Sequence, residues 1–146
     1  MGHIWLLLVL LNQQPVTKPT TTATVIQSVK AAYSAQKRAT VVFDIDGVLL
    51  DNRGRTAHIL ANFADSELKA KNPVAALQIS NLNISQITPV LIQTLQRAGI
   101  AEPSTLNSIS VFWGEMFYKE DMFKHDILTP KSAEYIQLLH SSGARI

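Results

Sequence analysis

Two carboxylates one residue apart, Asp44 and Asp46, stand at the end of the apolar run Val41-Val42-Phe43 and are followed at once by Gly47-Val48-Leu49-Leu50. A buried strand that stops at such a pair and turns on a glycine delivers both side chains to the rim of a sheet, where small ligands bind in open α/β folds. Phosphoryl transfer asks a protein for an oxygen nucleophile, a divalent cation to screen the phosphate, and a proton donor for the leaving group. With Asp44 as the attacking carboxylate, its charge repels a phosphate dianion unless Mg2+ bridges the two, and Mg2+ favours hard oxygen ligands. Asp46 is then left for proton traffic, giving a proton as the leaving group departs and taking one as water attacks the aspartyl-phosphate. Gly47 lets the backbone turn closely past a ligand. The competing reading is an Asx-type turn closing an ordinary strand, with Asp46 capping backbone amides and Asp44 tolerated beside it.

The order of hydrophobic strand and Asp-x-Asp-Gly-Val-Leu resembles the first motif of the haloacid dehalogenase-like (HAD) hydrolase superfamily. The resemblance implies that Asp44 becomes phosphorylated, that Asp46 is the general acid/base, and that Mg2+ is held by the Asp44 carboxylate and the Asp46 carbonyl. Members that cleave carbon–halogen or carbon–phosphorus bonds usually lack the second Asp, so Asp46 implies a phosphatase or phosphomutase. The fold implied is α/β, a HAD-like Rossmannoid core with a mainly helical cap inserted after the first strand. The function implied is Mg2+-dependent hydrolysis of a small phosphomonoester. Phosphomutase is one alternative, and a non-catalytic module that holds a cation or binds a partner is another.

The elements around the motif follow from periodicity and caps. Thr24-Val25-Ile26-Gln27 matches a capping box, and Val25, Val29, Ala32 and Tyr33 recur at helical spacing, which predicts a helix over 25–36 beside a strand over 39–43. Ile59, Leu60, Phe63 and Leu68 share one face of a predicted helix over 55–71 that closes at Asn72-Pro73. Further helices are expected over 88–98, stopped by Gly99, and over 104–117, capped by Ser104 after Pro103; residues 74–84 have no decisive pattern. Phe112, Trp113 and Phe117 are spaced as core residues of that last helix rather than as a base-stacking platform. Thr129 reads as an N-cap and Pro130 as the first residue of a helix that Ser141-Ser142-Gly143 ends, with Ala144-Arg145-Ile146 starting a strand.

These elements divide the chain into an apolar segment and Thr/Pro-rich linker (1–23), the start of the core with the catalytic loop (24–54), a helical cap (55–127) and a return to the core (128–146). A cap excludes water from the intermediate and contributes the groups that choose the substrate. Arg53, Arg55 and His58, just past the catalytic loop, are candidates for contact with a phosphate or acidic substrate. In HAD-like proteins a Pro-led helix feeds the strand of a second motif, although Lys131 replaces the Gly common after that Pro. The second-motif Ser/Thr, the third-motif Lys or Arg and the acidic pair that completes the Mg2+ site have no counterpart before Ile146. The expectation is an N-terminal part of a longer enzyme, weakly active or inactive alone.

At 146 residues with 47% hydrophobic and 16% charged, the chain has enough apolar content for an ordinary core. A net charge of +2 with scattered Lys and Arg argues against a nucleic-acid surface. The absence of cysteine removes disulfides, thiol nucleophiles and thiolate zinc sites. His3, His58, His125 and His140 show no ligand spacing. The apolar run Ile4–Leu11 is far shorter than the roughly 20 residues that span a bilayer. It also lacks the basic flank and small-residue cleavage site of a signal peptide, so a cytoplasmic location is favoured over export. Oligomeric state is left open.

Overall fold

The computed structural model describes residues 21–146; the apolar run Ile4–Leu11 and most of the linker lie outside the described residues. The described chain is mainly helical, with helices α1 (Thr22–Ser34), α2 (Arg53–Phe63), α3 (Lys69–Lys71), α4 (Pro73–Ser80), α5 (Leu91–Arg97), α6 (Pro103–Phe117) and α7 (Ser132–Ser141). Strands β1 (Leu50–Asp51) and β2 (Ile127–Leu128) pair in a two-stranded sheet. The chain forms two compact units, one holding residues up to Leu50 and again Leu128–Ile146, the other Asp51–Ile127. The boundaries drawn from sequence lay at 54/55 and 127/128.

In the first unit α1 starts earlier than its capping-box pattern suggested, because the Thr21 hydroxyl accepts from the Thr24 amide (3.3 Å) and makes Thr21 the cap. Val25 and Val29 are buried as the helical spacing requires, and they pack with Ala39, Val41, Leu139 and Ala144. Helix α7 lies against α1 and ends in a paired turn: the Gly143 amide donates to the His140 carbonyl (3.0 Å) and the Ala144 amide to the Leu139 carbonyl (3.1 Å). This motif needs a left-handed residue, which Gly143 supplies at φ +99. It also brings Ala144 against Leu139, both fully buried. The Tyr33 ring occupies the space that a Cβ on Gly143 would need.

The predicted start of α7 is corrected. Lys131 takes a left-handed conformation at φ 68, so Pro130 and Lys131 make a turn and the helix begins at Ser132. Thr129 is held instead by its amide, which donates to the Leu49 carbonyl (2.9 Å).

The second unit is an α-helical bundle. Ile59, Leu60, Phe63 and Leu68 are all buried, as the predicted face demanded, but the helical run is not uniform: residues Ala64–Leu68 form a π-helical turn between α2 and α3. Asn72 closes the run and caps α4, accepting from the Ala75 amide (3.0 Å). Helix α4 settles most of the stretch over 74–84 that the pattern left open. Helix α5 starts at Leu91 rather than Thr88, because the Thr88 amide and hydroxyl are taken by Thr94 Oγ1 (2.8 and 3.0 Å). Phe112 packs on Phe63 at 4.7 Å and Trp113 on Phe117 at 4.3 Å between ring centroids, as core residues.

The cap of α6 is also corrected. Pro103 occupies the first helical position, which leaves Glu102 as the cap in place of Ser104. Its carboxylate accepts from the Ser104 amide (3.0 Å), the Ser104 hydroxyl (2.7 Å) and the Thr105 amide (2.6 Å). These bonds from Ser104 and Thr105 hold the Glu102 carboxyl down at about 2.

Because that value is depressed, the cap's contribution is present above the ordinary carboxyl value and fades as pH falls toward about 2. Glu102→Ala is therefore expected to lower the melting temperature near neutral pH. The gap to the parent should shrink on acidification below about 4.5 in thermal melts followed by circular dichroism.

Candidate active site

Residues 39–43 run extended and carry a parallel bridge between Thr40 and Arg145. Two backbone bonds make it: the Val41 amide donates to the Arg145 carbonyl (2.8 Å), and the Arg145 amide to the Ala39 carbonyl (2.8 Å). The Arg145 guanidinium adds bonds to Thr40 Oγ1 at 3.0 and 3.3 Å. Alternation sorts the side chains: Ala39 and Val41 are buried in the unit's core and Phe43 packs edge-on against Tyr135, while Val42 and Asp44 are exposed. The expected strand, buried on both faces, is thus buried on one face in the described structure.

Asp44 ends this segment with its side chain exposed and without a hydrogen-bond or ion-pair partner among the described residues. The next five residues wind tightly around Asp46. The Ile45 carbonyl accepts from the Leu49 (3.0 Å) and Leu50 (2.9 Å) amides, and the Gly47 amide donates to the Leu50 carbonyl (2.8 Å). Asp46 sits between these bonds in a parallel bridge with Leu50 and is half-buried. Gly47 holds φ +76, and nothing lies within 4 Å of where its Cβ would be, so glycine is needed there for backbone conformation rather than for space. The loop is tied to the start of α7 through the bond from Thr129 to Leu49.

The structure keeps Asp44 and Asp46 on one turn of chain and places Arg53 and Arg55 in the second unit, Arg53 at its surface and Arg55 in its interior. Arg53 is paired with Asp51 (Nη2 to Oδ2, 2.5 Å), and Asp51 also accepts from the Arg53 amide (3.1 Å), which starts α2. The pairing lowers the Asp51 pKa and raises that of Arg53. Arg55 is not placed to meet substrate: it is 1% exposed. Its guanidinium is bound by both oxygens of Asp126, donates to the Phe117 carbonyl (3.3 Å) and lies over the Phe117 and Phe123 rings at 4.3 and 4.7 Å. His58 stacks on His125, a pairing that no residue spacing signals.

Two carboxylates fit a hard divalent cation of the Mg2+ kind, which takes one or two protein carboxylates and fills its other positions with water and substrate phosphate. Among the described residues no group of three or more His, Asp or Glu side chains is gathered that would form an all-protein cage. Comparison with known proteins finds no matching family model, no matching curated protein and no matching solved structure. The chemistry therefore rests on the geometry of residues 39–50. No helix among the described residues is long and apolar enough to cross a membrane.

If Gly47 serves backbone conformation alone, Gly47→Ala is expected to destabilise the first unit by roughly 1–2 kcal/mol, and Gly47→Asn by less. Urea denaturation of both variants checks this; equal losses would assign the glycine a packing role.

Proposed function

We propose that this chain carries the nucleophile of a Mg2+-dependent phosphomonoester hydrolase, with Asp44 as the attacking group. The observation that supports the reading best is the exposed Asp44 carboxylate, uncommitted to any described residue, at the C-terminal end of an extended segment anchored in parallel to Arg145. A carboxylate serving only to close a turn would be engaged with backbone amides, as Glu102 is at α6.

In the first step an Asp44 oxygen bonds to phosphorus as the ester P–O bond breaks in line, and Asp46 gives its proton to the departing alkoxide. In the second, Asp46 takes a proton from water, whose oxygen attacks phosphorus and releases Asp44 and inorganic phosphate. Bound Mg2+ would supply the positive charge that lets two anions approach. Asp46 suits a role at a fixed distance from the reacting atoms because the bonds around Ile45, Gly47 and Leu50 hold its backbone.

Incubation of the chain with acetyl phosphate and Mg2+ is expected to add one phosphoryl group, labile to hydroxylamine and visible by intact mass. Asp44→Asn should abolish the adduct. Asp46→Asn should retain it while slowing its hydrolysis by about 10²–10⁴-fold. Absence of the adduct, or its persistence in Asp44→Asn, would overturn the assignment.

A further inference from the structure

Within the second unit, the first two turns of α2 seat the segment Phe117–Asp126 through three adjacent contacts. Gly54 lets the His125 carbonyl oxygen lie directly on the helix, in space a Cβ would fill. One turn on, the His58 ring stacks on the His125 ring, with centroids 3.8 Å apart and planes inclined by 20°. On the neighbouring face, Arg55 grips Asp126 and the Phe117 carbonyl. The 3-10 turn Glu120–His125 lies between these grips and has one buried side chain, Met122.

We propose that the His58–His125 stack is an acid-releasable latch, which holds the turn Glu120–His125 against α2 while the His58 imidazole is neutral and frees it when that ring takes up a proton. Parallel rings at this separation cannot place one metal ion in both ring planes, so the pair does not read as a ligand set. His58 Nε2 accepts from the Asn62 side-chain amide (3.1 Å), a bond that the neutral ring makes in the tautomer protonated at Nδ1. His125 Nε2 is buried and has no hydrogen-bond partner among the described residues.

The charged groups around the stack weigh in the same direction. Lys124, beside His125, and the second imidazole both oppose a charge on His58, while Asp121 alone of the acids acting on it favours one. Asp126 is occupied by Arg55. Burial adds the largest effect, and together these hold the His58 pKa below its ordinary value. The sign follows: the unfolded or released segment binds protons more readily, so the closed form loses stability as pH falls below about 6.5 and until the folded-state value is passed. The Gly54 and Arg55 contacts lie at the two ends of the turn, so release is confined to the segment between them rather than extending to the whole bundle.

Hydrogen exchange resolved by mass spectrometry, corrected for intrinsic rates, tests the latch in the intact chain. Between pH 7 and pH 5 the amides of 119–126 should lose about tenfold in protection while those of α6 keep theirs. His58→Phe, which preserves an aromatic stack but cannot charge, should abolish the difference. Equal behaviour of the two segments in the parent, or an undiminished loss in His58→Phe, would overturn the proposal. Should that variant fold poorly, the parent's His58 imidazole resonance decides: titration at or above the ordinary value refutes the latch, and titration below it supports it.

Discussion

The first unit depends on a parallel pairing that the chain reaches only after a long excursion. Thr40 and Arg145 are 105 residues apart, yet the bonds between Val41, Arg145 and Ala39 bring Ala144 into the core and fix the segment that ends in Asp44. A parallel pair needs a crossover, and α7 with its Gly143 turn supplies the last part of one. Loop closure weakens slowly with length, by about 0.6 kcal/mol for each doubling, so a long insertion is tolerated. It is tolerated better still when the insertion folds by itself and brings its ends together, and here β1 and β2, at the two ends of the second unit, are hydrogen-bonded neighbours.

The second unit solves a different problem, that of a charge inside a helical bundle. Arg55 and Asp126 have side chains 1% and 3% exposed, and the guanidinium also meets a carbonyl and two aromatic faces. A buried pair of this kind gives little net stability over apolar residues of equal volume, but leaving either partner alone is costly. Its contribution is specificity: planar guanidinium geometry admits one orientation of the Asp126 carboxylate, which sets the register of the turn Glu120–His125 on α2. Gly54 belongs to the same constraint, since its lack of a side chain lets the backbone at His125 come within contact of the helix.

What the sequence disclosed and what it hid divide along the range of the interactions. The faces made by Val25 and Val29, and by Ile59, Leu60, Phe63 and Leu68, were legible because helical periodicity is local and burial followed it. Gly99 and Gly143 marked helix ends for the same reason. Cap positions shifted where a nearby residue competed: Pro103 moved the cap from Ser104 to Glu102, and left-handed Lys131 displaced the start of α7. Arg55 was misread because its partner lies 71 residues away, and no local pattern separates a guanidinium bound for the core from one bound for a phosphate. The stack of His58 on His125 was invisible for the same reason. The π-helical turn at Ala64–Leu68, with the sequence Ala-Asp-Ser-Glu-Leu, carries no periodicity that sets it apart from the α-helix before it.

The loop over residues 44–50 shows how a short hydrogen-bonded segment can still present an exposed carboxylate. Backbone bonds within it converge on Ile45, Gly47 and Leu50, leaving Asp46 clasped between them and Asp44 just outside, at the end of the extended segment. Val41 and Phe43, anchored in the core on alternate positions, turn the intervening and following residues outward, so the exposure of Asp44 is a consequence of the pleat. An exposed carboxylate gains little for stability where it stands. The hydrogen-bonded turn behind it limits how far it can stray. The alternation of a half-buried extended segment followed by a left-handed glycine thus sets an exposed carboxylate beside a constrained turn with few residues.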